Sequence, residues 1–179
     1  MVEQSGAKFT LMRSAFVAIA LLSIYWQLLP LNTVPTTFTG PDLLLVLCTA
    51  WVLRRPEYAP IYLIAAVMLL ADFLFLRPPG LFAAITVFAC ENLRRRALTN
   101  PDMHFTVEWL TAAGAMTAIV LANRVFSAMF VIDQTSLGLT LIQLIMSIIA
   151  YPLVVGFCAL FLGLRKVAPH QRDGQLGRI

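Results

Sequence analysis

The chain has 179 residues, of which 60% are hydrophobic and 12% charged, with a formal net charge of +4 and a mean hydropathy of +0.83. Soluble domains carry about 25% charged residues, so this composition excludes an ordinary soluble domain and predicts a single integral-membrane domain of five or six spans. The basic residues sit at the ends of apolar runs, where they set topology, and they give no reason to expect a nucleic-acid partner.

Residues 1–10 read as a polar cytoplasmic N-terminus, and a first span is expected over 13–31 with Tyr25 and Trp26 at its far interface. That run is too long for a signal-peptide core and lacks a small-x-small cleavage site, so a retained helix is expected. A loop holding Pro35, Gly40 and Pro41 forbids a continuous helix and leads to a second span over 42–53, with Asp42 in its first turn. Twelve residues give only about 18 Å of helix against a hydrocarbon core of about 30 Å, which makes a re-entrant segment the alternative. A crossing gathers Lys8, Arg13, Arg54, Arg55, Arg94, Arg95 and Arg96 on one side, as the positive-inside rule expects, and we count it as one.

The third span, 59–76, contains IYLIAAVMLLADFLFL with one carboxylate, Asp72, and stops at a tight periplasmic turn, Arg77-Pro78-Pro79-Gly80. The fourth, 81–93, returns to Arg94, Arg95 and Arg96, and Glu91 lies on the helical face of the first two, which predicts a local ion pair. Asn100-Pro101-Asp102 has the pattern of a helix start, with Asn100 as the cap. The fifth span, 105–132, has Glu108 and Trp109 near its cytoplasmic end and Arg124 well inside. Its Gly114, Ala118 and Ala122 follow at steps of four and form a smooth stripe for close packing inside the bundle, the expected use, or for docking of a partner helix. The sixth, 137–164, contains Pro152, which should kink it, and closes on Arg165 and Lys166 before a flexible cytoplasmic tail, 167–179. Six crossings put eleven of the thirteen basic residues in or beside the cytoplasm and both termini inside.

An ionisable group inside a membrane costs about 2.5–3.5 kcal/mol on insertion scales, so Asp72 and Arg124 need partners. Both lie roughly 8–13 Å below the periplasmic face on different helices, which predicts that they pair with each other. Such a pair serves either as a pin fixing two helices, the expected role, or as part of an ion relay. Cys48, Cys90 and Cys158 lie in apolar runs without metal or disulfide spacing. No cofactor is implied, and the placement of His104 and His170 offers no nucleophile–base pair, so no enzymatic activity is expected.

The stretch from 41 to 97 resembles the rod-shape-determining membrane proteins of the MreD family. The resemblance rests on Pro41-Asp42-Leu43-Leu44-Leu45, Leu53-Arg54-Arg55-Pro56, Leu69-Leu70-Ala71-Asp72, Pro78-Pro79-Gly80 and Glu91-Asn92-Leu93-Arg94. It implies a non-enzymatic scaffold of the cell-elongation machinery in the bacterial inner membrane, supporting peptidoglycan synthesis and cell shape. Its implied partners are MreC, MreB, and RodA with its penicillin-binding transpeptidase, in a lipid environment. The implied fold is an all-α six-helix bundle similar to the substrate-binding subunits of energy-coupling-factor transporters, which leaves a small-molecule or vitamin transport subunit as the alternative function.

Overall fold

The structure is a computed structural model that describes residues 2–29, 40–100, 103–130 and 136–161. These residues form six helices, α1 (Val2–Leu28), α2 (Leu43–Arg54), α3 (Ile61–Leu74), α4 (Leu81–Thr99), α5 (Phe105–Met129) and α6 (Leu137–Phe161), and no strand. Three segments, Phe9–Leu28, Phe105–Met129 and Leu137–Leu160, are long and apolar enough to cross a membrane, whereas α2 and α3 are shorter apolar helices. The expected loop around Pro35, the Pro101-Asp102 turn, the last residues of the first, fifth and sixth spans and the tail 167–179 lie outside the described residues.

Two helices outrun their apolar segments. α1 continues back through residues assigned to a polar N-terminus, and α4 continues past Leu93 through the arginine cluster to Thr99. Charged side chains end an apolar run but not a helix, because Arg is a good helix former. Asn100 therefore closes α4, donating its backbone N–H to the Arg96 carbonyl at 2.9 Å, and does not cap α5, whose cap position is His104. The Glu91 pair forms with Arg95 at 3.1 Å.

α2 is the centre of the bundle. Every residue from Leu44 to Leu53 is buried, as expected for a helix that is apolar on all sides, and α2 touches α1, α4, α5 and α6. Its sides meet protein, so its length need not match a lipid thickness. Polar contacts fix both ends instead: at the start, Asp42 Oδ1 accepts from the Leu45 N–H and the Asp42 N–H donates to Ser147 Oγ at 2.8 Å. At the finish, Arg54 reaches Glu108 of α5. Around this helix Phe16 lies 5.1 Å from Trp51 between ring centroids, and Met116, Ile119 and Tyr151 complete the core.

The stripe on α5 points the other way. Gly114 and Ala118 are exposed and Ala122 is half-buried, while Glu108, Ala112, Met116 and Ile119 form the buried face. Two residues along a helix turn it through about 200°, so Gly114 lies opposite Ala112. Among the described residues, Gly114 and Ala118 thus take no part in the internal packing expected of the stripe. Pro152 lies within α6 and leaves the Ile148 carbonyl without its helical donor; the Trp109 indole N–H of α5 donates to that oxygen at 3.0 Å.

Candidate functional site

Asp72 is fully buried, and its carboxylate is held by main-chain amides. Oδ2 accepts from the Gly80 N–H and the Ala83 N–H, both at 3.1 Å. These are the cap and third positions of α4, the two donors that a capping box satisfies with side chains of the helix itself. Neither Gly80 nor Ala83 has a side-chain acceptor, and Asp72 supplies one oxygen to both from the preceding helix. Gly80 sits at φ 86°, in the left-handed region where glycine carries no steric penalty.

The same residue closes α3. Its carbonyl accepts from the Arg77 N–H at 3.0 Å while Leu76 N–H reaches the Phe73 carbonyl at 3.3 Å, the paired bonds of a Schellman ending. The left-handed residue of that ending is Leu76, at φ 53°. Asp72 thus ends one helix with its main chain and starts the next with its side chain, and Pro78, Pro79 and Gly80 form the turn between them.

The expected Asp72–Arg124 pair does not form. Ion pairs among the described residues are Arg54–Glu108 and Arg95–Glu91, and the cation whose field reaches Asp72 is Arg77. Arg124 Nη1 donates to Thr140 Oγ1 at 3.0 Å, tying α5 to α6. Similar depth on two helices did not bring the groups together, because amides eight and eleven residues from Asp72 are nearer donors.

Arg124 lines a cavity of about 210 Å³ between the start of α2, the α3–α4 turn, the end of α5 and the start of α6. Asp42, Arg77, Asn123 and Gln143 contribute to its polar lining, and Leu45, Phe82 and Leu144 to its apolar lining. The Arg77 guanidinium carbon lies 5.2 Å from the Phe75 ring centroid and 4.9 Å from that of Phe82, within the range of a cation–π contact. Sequence reasoning assigned the turn but not Arg77's place in this lining.

A second polar cluster lies toward the other end of the bundle. Glu108 is 1% exposed; its Oε1 accepts from Arg54 Nε at 2.8 Å and from the Tyr151 hydroxyl at 3.0 Å, so α2, α5 and α6 meet on one oxygen. Both charged residues mark the ends of apolar runs, the signal that could have found the pair. No three His, Cys, Asp or Glu side chains among the described residues gather to hold a metal ion.

Comparison with protein-family models, with curated proteins and with solved structures finds no match for this chain.

Proposed function

We propose that this chain is a non-enzymatic, six-span scaffold of the bacterial inner membrane, with both termini cytoplasmic, that docks the membrane helix of a single-span partner. The observation that carries the reading is the outward side of the Gly114/Ala118/Ala122 stripe on α5, where Gly114 and Ala118 are exposed and Ala122 is half-buried among the described residues. A Cβ added at Gly114 meets nothing within 4 Å, and small residues of this kind let a second backbone approach closely in lipid. The intramembrane charges support the same reading, since Asp72 caps α4 and Glu108 ties three helices together. By its resemblance to the rod-shape-determining proteins, the partner is MreC, within an assembly that includes MreB, RodA and its transpeptidase.

Co-purification with MreC, comparing the parent chain with Gly114→Leu and Ala118→Leu, tests this. Loss of MreC from variants that keep the parent thermal midpoint supports docking on the stripe. Undiminished recovery from both variants overturns that docking site. The polar cavity favours a second reading, a substrate-binding transport subunit, although about 210 Å³ is below the roughly 300–1,000 Å³ of drug-sized ligand pockets. Recovery of an ATPase module and a vitamin-like molecule in place of MreC would establish that alternative.

A further inference from the structure

We propose that the cavity beside the α3–α4 turn is a phosphate-binding site in which Arg77 is the principal ligand and Arg124 the second cation. Arg77 stands at the head of the α3–α4 turn. Its guanidinium is set against the Phe75 and Phe82 rings, and contact with ring faces leaves the N–H donors at the guanidinium edge to bond in its own plane. That planar fork matches two phosphate oxygens at once. Within the described protein the Arg77 side chain donates no hydrogen bond, and it lines the cavity.

Arg124 reaches the same cavity from α5 with Nη1 fixed on Thr140, and the amides of Asn123 and Gln143 add neutral donors. The carboxylate in the lining is Asp42, whose Oδ1 is engaged with the Leu45 N–H at the start of α2. Among the described lining residues two guanidiniums meet one carboxylate, and Asp72, the carboxylate within reach of Arg77's field, lies outside the lining with Oδ2 held by the Gly80 and Ala83 amides, so the donors that face the cavity suit an anion. The volume of about 210 Å³ corresponds to about seven waters at roughly 30 Å³ each, room for a phosphate with a small alcohol attached. The position, at the helix ends beside a turn, is where phospholipid headgroups lie on the six-span reading. A phosphate diester on a lipid and free inorganic phosphate present the same chemistry to these residues.

The test uses the full chain in detergent, with dihexanoylphosphatidylglycerol and inorganic phosphate as probes in titration calorimetry. The expected result is saturable binding of at least one probe that weakens about tenfold or more in Arg77→Gln, the effect of losing charge-assisted hydrogen bonds, and is unchanged in Arg95→Gln at the other end of the bundle. Asn123→Trp fills much of the cavity without removing a charge and should also abolish binding, which keeps the test decisive if Arg77→Gln does not fold. Competition by phosphate against the lipid assigns a bare phosphate site, and lipid binding without competition assigns a headgroup site; either supports the proposal. Absence of binding by both probes, or parent-like binding in Asn123→Trp, overturns it. MreC recovery is read separately, so loss of the scaffold reading leaves this result intact.

Discussion

Trp109 donates its indole N–H to the carbonyl of Ile148, four residues before Pro152. Proline has no N–H to return to that oxygen, and an unmet carbonyl in an apolar setting costs about 1–3 kcal/mol. Trp109→Phe should therefore lower stability in detergent by about 1–2 kcal/mol, beyond what the smaller ring loses in packing. In Pro152→Ala the helix regains its own donor, and the same Trp109 substitution should do less harm. A double-mutant cycle from denaturant unfolding measures the coupling, and additivity within about 0.5 kcal/mol would refute it.

Asp72 gives a graded prediction. Asp72→Ala leaves the Gly80 and Ala83 amides without their acceptor and should destabilise by about 2 kcal/mol, the upper range for a lost helix cap. Asp72→Asn keeps an amide oxygen at the same place and should lose less than half as much. If the charge itself were the stabilising element, Asn and Ala would be equally damaging, so thermal unfolding of the two variants separates the mechanisms.

At the Glu108 cluster the sign depends on how many partners are removed. Arg54→Met alone removes the cation from a carboxylate that is 1% exposed and that keeps the Tyr151 hydroxyl, and breaking such a pair costs about 3–5 kcal/mol. Arg54→Met combined with Glu108→Leu removes both charges and should recover most of that loss, leaving the Tyr151 hydroxyl as the remaining deficit. Chemical unfolding of the single and double variants checks the order.

Leu76 holds a backbone conformation, φ 53°, that costs a side-chain-bearing residue about 1 kcal/mol or more. Leu76→Gly should raise the midpoint of unfolding in detergent by the release of that strain. The side chain is 93% exposed and carries almost no packing within the protein to offset the gain. A lowered midpoint would contradict the left-handed ending of α3.

The sequence made element positions legible where an apolar run ends on a structural breaker. Pro41 and Asp42 announced α2 within a residue, and Gly80 did so for α4. It misplaced ends where a run stops but the helix does not, as at Arg94, since hydropathy marks lipid contact and not hydrogen bonding. Asp72's partners were hidden for a related reason: charge matching looks for side chains, and the donors are backbone amides of Gly80 and Ala83. Matching by depth would have served for Arg54 and Glu108, two residues that the sequence places at membrane edges. The direction of the Gly114 stripe needed the structure, because small residues suit an inner seam and an outer one equally; Met116 and Ile119 mark the inner face only once their neighbours are known.

The sequence separation of the Asp72 contacts also bears on how the protein enters a membrane. Its two donors lie eight and eleven residues downstream, a short loop to close and a fast one. Oδ2 is therefore met by its own chain once the α3–α4 hairpin exists, with no contribution from α5. A partner on α5 would have kept a bare charge waiting during insertion. The hairpin thus carries its own acceptor for the first amides of α4, and the later helices assemble onto a turn already closed.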